Sequence, residues 1–465
     1  MFEIREILEA TSGRLVDGGI SGRVRGISID SRTIRPDEAF LALEGDNFDG
    51  HDFIAEALRK GASCVIRQAQ KTGLAQRKAV PGSVVVIEVG DGIKALSDIA
   101  SFQRRKFNIP LIAISGSSGK TTTKDMLARI LSRKFRVLKN EGTKNNQIGV
   151  SLSLLNLHSY HELVVLELGT NHPGEISSLS RICSPNIGII TNIGPAHLEY
   201  LGSLSGVLRE KYSLIADLKQ PRIAVINADD TLITKKAAAG NSPEAIFTFG
   251  LRPGCDFCAS CIEDTPRGIS FWVNRRHNIS LSAIGRHNIY NALAAITVAR
   301  IFGIGYNDIA RQLSGFILPE GRLKPAKAGK VNFIDDTYNS NPLSLNRALE
   351  AFAHIACLGR KIFVMGDMLE LGKRAGEFHI QAGRQVKEVC DAFIAVGKLS
   401  RLAAKAAEAA GFNRKNIFTC QTPRQARQVL YRILCVTGKD TVLVKGSRRM
   451  KMEEVFQINK HRQQK

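Results

Sequence analysis

Residues 111–127 read LIAISGSSGKTTTKDML: an apolar run, a glycine-bounded turn, then a Lys-Thr-Thr that opens an amphipathic stretch. That order suits phosphate chemistry. Gly116 and Gly119 let the main chain turn tightly, so that amide N–H groups and the N-terminus of the following helix face an anion. Across Gly116, Ser117, Ser118, Gly119, Lys120, Thr121 and Thr122 the segment offers these donors, an ammonium from Lys120 able to reach β- and γ-phosphates, and a Thr121 hydroxyl able to ligate Mg²⁺. The loop is short. Only Ser117 and Ser118 separate Gly116 from Gly119-Lys120, and Ile114 stands where the first glycine of the common, longer loop would fall. A chance Gly-Lys-Thr is the plainer reading, but strand, glycines and helix arrive in the right order. ATP or a close relative is the expected ligand.

Other side chains with chemical potential lie at the ends of apolar runs or on one helix face. Glu167 falls near the end of ELVVLEL (162–168), and His197 follows NIGIITNIG (186–194). In open α/β sheets ligands gather at the carboxyl ends of strands, although a single histidine is more often structural than a ligand. Asn288 and Asn291, three residues apart, can share a helix face and offer amides to a purine edge; helix capping near Gly285 is the alternative for one of them. Cys255, Cys258 and Cys261 have the spacing of part of an iron–sulfur run. No fourth cysteine is near, and the polar–apolar alternation running on to Phe271 and Trp272 favours a strand pair.

The elements that must hold these residues form two sets of short β-branched runs, each followed by helical stretches. The first comprises LIAIS (111–115), ELVVLEL, NIGIITNIG and RIAVIN (222–227), and the second KIFVMG (361–366), AFIAVG (392–397) and TVLVKG (441–446). This alternation predicts parallel sheets wrapped by helices. The first hundred residues are richer in turns, such as Asp46 to Gly50 and Pro81-Gly82, with strand candidates at FLAL and SVVVIEV. The expected fold is α/β in three domains: a small N-terminal α/β domain over 1–107, a central phosphate-loop parallel sheet over 108–318 and a Rossmann-like domain over 319–465.

The bulk properties bound the class. The 465 residues, 44% hydrophobic and 23% charged, suffice for about three domains and exclude disordered or fibrous chains. No apolar run reaches the roughly 18 residues needed to span a bilayer, and MFEIREILEATSG carries acids where a secretory leader would not. A cytoplasmic protein without stable membrane insertion is expected. Nine cysteines, scattered from Cys64 to Cys435, point to reduced thiols rather than a disulfide framework. A net charge of +22 attracts anions. A basic phosphate-loop protein that binds nucleic acid would interleave basic and aromatic residues. Aromatics here are only 6%, so a substrate bearing phosphates and carboxylates is expected instead. The tail cluster Lys460, His461, Arg462 and Lys465 reads as solvated charge.

The segment Ser115 to Thr122 resembles the short loop of the Mur ligases and their folylpolyglutamate synthetase relatives. Central segments similar to that family are Glu167-Leu168-Gly169 with Asn171 to Glu175, Asn192-Ile193-Gly194 with Ala196 to Glu199, and Gly285 to Asn288 with Asn291-Ala292. Later, Asp335 to Pro342, Gly366 to Gly372 and Lys445 to Arg448 resemble the branch that joins D-Ala-D-Ala to UDP-MurNAc-tripeptide, the precursor step of peptidoglycan. Asp30-Ser31-Arg32, Phe40 to Leu43 and Asp49-Gly50-His51 are similar to its nucleotide-sugar domain, which the folylpolyglutamate enzymes lack. The Asp-Asn-Pro-Arg signature of the diaminopimelate-adding relative is missing.

The resemblance implies an ATP- and Mg²⁺-dependent amide ligase acting through an acyl phosphate; a monomer that does not bind nucleic acid is expected. It implies a catalytic group of Lys120, Glu167, His197, Lys211 and Asp336, with metal held by Thr121, Glu167, His197 and a carbamylated Lys211. A carbamate would supply the oxygen ligands Mg²⁺ prefers, where an ammonium would repel it. Asn288, Asn291 and Arg322 would contact the nucleotide, and Ser31 and Arg32 the uridine diphosphate. Asn145 and Asn146 would face the substrate, with Tyr338, Asn339 and Asn341 near the incoming dipeptide. Thr143 and Ser151 depart from the family's usual asparagine and proline.

Overall fold

In the computed structural model, the described residues are 1–45, 48–69, 84–240, 243–265, 268–328, 331–434 and 438–456. The Pro81-Gly82 turn, Asp46, Cys435 and the basic cluster at 460–465 lie outside them. Beside a two-stranded antiparallel pair of Phe2–Glu3 with Arg23–Val24, three larger sheets follow one another along the chain.

The first has five strands, ordered Arg14–Asp17, Val85–Val89, Cys64–Gln68, Ala39–Leu41 and Ile27–Ser28, all parallel except the first. Arg67 and Glu88 form a buried ion pair across neighbouring strands, with Nη2 to Oε1 at 3.1 Å. The helix Gly92–Arg105 follows. Its Gln103 donates to Leu157 O (2.7 Å) and its Arg104 to Cys183 O (3.0 Å), which seats it on helices beyond residue 108.

The central sheet has nine strands. Across it run His277–Leu281, Gly268–Val273, Phe257–Thr265, Ala245–Gly250, Ile223–Asn227, Ile187–Ile190, Leu111–Ser115, Leu163–Glu167 and Val137–Lys139. The six from Ala245–Gly250 onward are parallel. Helices cover both faces, so Leu111–Ser115 and Leu163–Glu167 are buried at every position and read as continuous apolar runs instead of alternating. Chain order reverses beside Leu111–Ser115, the first strand in sequence, which creates the crevice where such sheets bind ligands.

The strand pair expected around Cys261 is present: Phe257–Thr265 and Gly268–Val273 are antiparallel. The expectation of reduced thiols throughout needs correction, because Cys255 and Cys258 are joined as a disulfide. The turn through Gly254 (φ +97°) brings their Cα atoms to 5.6 Å. Cys261 is exposed, whereas Cys64, Cys183 and Cys390 are buried, and burial pushes each of those thiols up to about 12.

The third sheet, ordered Lys324–Ala328, Val331–Asp336, Thr441–Lys445, Lys361–Gly366, Ala392–Val396 and Ile417–Cys420, is parallel except at its first strand. Phe363 and Phe393 stack at 5.7 Å in its core, both fully buried. Phe393→Ala is expected to cost about 3–5 kcal/mol, seen as a lower Tm in thermal unfolding. One apolar cluster crosses from the central unit, through Leu198, Leu201 and Val207, to Leu323, Leu345, Leu349, Met368 and Leu371 of the third.

Candidate active site

The phosphate loop leaves the Leu111–Ser115 strand and enters the helix Lys120–Leu131. Both glycines are required by space as well as by backbone angle. At Gly116 (φ +145°) a Cβ would lie 2.0 Å from Thr191 Oγ1, and at Gly119 (φ +85°) it would lie 2.2 Å from Asn291 Oδ1. The turn is braced from the next strand's end: Ser117 N donates to Asn192 O (2.9 Å), Ser118 N to Asn192 Oδ1 (3.0 Å), and Thr191 Oγ1 to Ser118 O (2.6 Å). Lys120 Nζ donates to Gly116 O at 2.9 Å, and burial lowers its pKa against the opposing pull of Glu167. Gly119→Ala is expected to weaken ADP binding about tenfold to a hundredfold, as read by calorimetric titration.

Glu167 ends its strand beside this loop and is 1% exposed. Thr121 Oγ1 donates to its Oε2 and Asn145 Nδ2 to its Oε1, each at 2.7 Å. Asn140 clamps its main chain, accepting from Glu167 N and donating to Glu167 O. Lys211, on the helix Leu204–Ala216, is 1% exposed and makes no ion pair or hydrogen bond through its ammonium among the described residues. Burial, then the nearby Lys120 charge, brings its pKa down to about 7. The adjacent Glu210 fixes this helix to the loop before Glu175, accepting from Thr170 Oγ1, Gly174 N and Ile176 N.

The third unit supplies the opposite wall. Arg322 Nη2 reaches Thr121 Oγ1 at 3.1 Å, with its guanidinium 3.9 Å above the Tyr338 ring. Asp336 ends a strand, and its Oδ2 accepts from Lys445 Nζ at 2.6 Å; Lys445, 2% exposed, also donates to Asn339 O. Asn341 caps the helix Pro342–His354 through its oxygen while its Nδ2 donates to Ser117 O at 3.2 Å. His197 Nδ1 meets Glu370 Oε2 at 2.7 Å, a contact that leads the causes holding the Glu370 carboxyl below its usual range.

These walls enclose a cleft of about 550 Å³. Ser117, Ser118, Gly119, Lys120, Thr122, Asn145, Asn146, Glu167, His197, Asn288, Asn291, Arg322, Asp336, Tyr338, Asn339 and Asn341 line it together. Gly116, Thr121 and Lys211 sit behind the lining. Asn146 also caps the helix Gln147–Leu155. Asn288 and Asn291 turn much of their amide capacity inward: Asn291 Nδ2 donates to Asn288 Oδ1 (2.9 Å), and Asn288 Nδ2 to Ile284 O. Ser31 and Arg32 are not among the cleft residues. Ser31 Oγ donates to Glu56, and Arg32 pairs with Asp30 on the first unit's surface.

Sequence reading gave no role to Lys445, Glu370, Arg347 or His287, which all line the cleft. Lysine ending the apolar run TVLVK was a usable signal for the first. His287 lies within the Gly285 to Asn288 segment, and burial pushes its pKa down to about 3.

A short phosphate loop at a sheet's switch point, a carboxylate bonded to the loop threonine, and cations from a second sheet define a nucleotide-dependent phosphoryl-transfer enzyme. Residues 114–299 match the Mur ligase middle domain, 321–448 the Mur ligase glutamate ligase domain, and 23–104 the Mur ligase family catalytic domain. The chain belongs to the Mur ligase family and is an ATP-dependent ligase that forms peptide bonds. It is 30% identical to the UDP-N-acetylmuramoyl-tripeptide–D-alanyl-D-alanine ligase of Bacillus subtilis, over 97% of each chain. With the same-named enzyme of Haemophilus influenzae it shares 33% identity, over 98% of this chain and 96% of that one. Among solved structures it superposes on MurF from Acinetobacter baumannii with a TM-score of 0.86 at 31% identity, covering 98% and 97% of the two chains. On MurF from Thermotoga maritima in complex with ADP the TM-score is 0.79 at 28% identity, covering 93% and 96%.

Proposed function

We propose that this chain joins D-Ala-D-Ala to UDP-MurNAc-tripeptide at the expense of ATP, giving the pentapeptide precursor of peptidoglycan. The observation that carries the reading is the meeting of the Lys120 loop with the Arg322 and Asp336–Lys445 wall in one cleft, in a chain similar along nearly its full length to ligases of that name. Residues 1–107 would hold the uridine diphosphate end through Ser31 and Arg32. Residues 108–318 would hold ATP, and residues 319–465 the dipeptide, near Tyr338, Asn339 and Asn341. Action as a monomer in the cytoplasm, without nucleic acid, completes the reading; no helix among the described residues is long and apolar enough to cross a membrane.

The tripeptide carboxylate attacks the γ-phosphorus and ADP leaves. The dipeptide amine then attacks the acyl carbon, phosphate leaves, and the amine loses a proton as the amide forms. Both steps bring anions together, so cations must stand at the phosphate. Lys120 and the loop N–H groups bind the phosphates, while Arg322, stacked on Tyr338, adds charge from the facing wall. Asp336 is oriented by Lys445 Nζ, which donates to its Oδ2, and by Leu323 N, which donates to its Oδ1. Asn288 and Asn291 brace Gly119 and present the remaining amide edges to the nucleotide.

Mg²⁺ fits the donor set: the Thr121 hydroxyl and Glu167 carboxylate abut at 2.7 Å, with His197 on the same cleft, and are mostly of the oxygen type this cation takes. When bound, it would screen the repulsion between γ-phosphate and incoming carboxylate. Lys211 supports a further oxygen ligand. Its buried amine, with a pKa near 7, is substantially neutral and so able to add to CO₂, releasing a proton and forming a carbamate.

Phosphate release by the purified protein with ATP and Mg²⁺ tests the assignment. It should require both UDP-MurNAc-tripeptide and D-Ala-D-Ala. Silence with both present, or equal turnover with a folate and glutamate, overturns it.

A further inference from the structure

Glu370 belongs to the third unit, four residues past the end of the Lys361–Gly366 strand, whereas His197 belongs to the central unit. Their side chains meet through His197 Nδ1 and Glu370 Oε2 at 2.7 Å. The main chains meet as well, since Glu199 N donates to Glu370 O at 3.2 Å. A Cβ on Gly372 would stand 3.2 Å from Glu199 Cα. Both side chains project from left-handed backbone, His197 at φ +53° and Glu370 at φ +62°. Non-glycine residues persist there only where surrounding contacts hold them. Two such residues facing one another across a junction of domains mark a fitted contact.

A carboxylate on one ring nitrogen fixes the tautomer of a histidine and turns the lone pair of the other nitrogen outward. Here Nδ1 takes the carboxylate, leaving Nε2 as the ligating nitrogen. Glu370 cannot give this support unless the third unit is docked.

We propose that Glu370 is a positioning residue that orients His197 for a divalent cation only when the C-terminal unit is closed on the central one, coupling domain closure to metal affinity. The proposal rests on the reading of His197 as a metal-binding residue. By linkage the coupling runs both ways: closure tightens metal binding, and metal tightens closure by the same factor. Arg322 and Asn341 also bridge the units, but onto the phosphate loop.

The test measures Mn²⁺ binding, by its free-ion paramagnetic resonance signal, to the full chain saturated with a non-hydrolysable ATP analogue. The wild type is compared with Glu370→Ala, Glu370→Gln, His197→Ala and the double alanine variant, and the folding of each is checked by circular dichroism. Glu370→Ala and His197→Ala should each weaken the affected Mn²⁺ site by about 10- to 100-fold. The double variant should be no worse than His197→Ala alone. Glu370→Gln, which keeps an acceptor for Nδ1–H and the side-chain shape, should recover most of the affinity. X-ray scattering should show Mn²⁺ compacting the wild type and not Glu370→Ala.

Wild-type Mn²⁺ affinity in Glu370→Ala beside a weakened His197→Ala overturns this inference alone. Additive losses in the double variant do the same. Unchanged affinity in His197→Ala removes the metal reading of His197 itself, and the inference with it.

Discussion

Lys120→Ala is expected to lower kcat for phosphate release by about 10³-fold, the scale set by removing a cation from a phosphoryl-transfer transition state. The helix Lys120–Leu131 and the packing around Thr121, Thr122 and Thr123 do not use the lysine head group, so the variant should stay folded. Among the described residues its ammonium hydrogen-bonds only to Gly116 O, within the same loop. The measurement is single-turnover phosphate release at saturating ATP, with ADP affinity alongside. A smaller loss in ADP affinity than in rate is expected, because charge accumulates on the γ-phosphoryl oxygens as the reaction proceeds. A variant turning over at the wild-type rate would remove Lys120 from the mechanism.

Lys211→Ala should cost about 10²- to 10³-fold in kcat, with partial recovery on adding short carboxylates that can replace the carbamate oxygens. The pH dependence follows from a pKa near 7. Below that pH the ammonium dominates and cannot take up CO₂; above it the free amine can. Activity of CO₂-depleted enzyme should therefore return on adding bicarbonate at pH 8 and far less at pH 6. Stability moves in the same sense for the uncarbamylated chain. Between about 7 and the ordinary value of 10.5, the unfolded state holds a proton that the folded state has released, so folding gains as pH rises through that window. Bicarbonate-independent activity in the wild type, or full activity in Lys211→Ala, would sink the carbamate.

The phosphate loop was legible because its signal is local. Gly116 and Gly119 sit within four residues of Lys120, and the backbone conformation they permit is the function. Strands buried on both faces, such as LIAIS and TVLVK, were legible for a related reason: continuous apolar runs bounded by turns leave few other ways to bury them. The pairings that close the site were not. Asp336 and Lys445 are 109 positions apart, and His197 and Glu370 are 173 apart, so nothing in either local segment announces its partner. The helical spacing of Asn288 and Asn291 allows amides turned outward, but spacing says nothing about the hydrogen bond they make to each other. The helix Gly92–Arg105 shows the same limit. Its sequence position puts it before the first strong strand, while Gln103 and Arg104 bind main chain of the central unit.

The apolar cluster running from Leu198, Leu201 and Val207 into Leu323, Leu345, Met368 and Leu371 also has a thermal consequence. Any swing that parts the second and third sheets must wet some of that surface, and wetting apolar surface raises heat capacity. Closure around ligand should then carry a negative heat-capacity change. Its hydrophobic share should fade on cooling, leaving the hydrogen bonds of Arg322 to Thr121 and of Glu370 with His197 to hold the cleft shut in the cold.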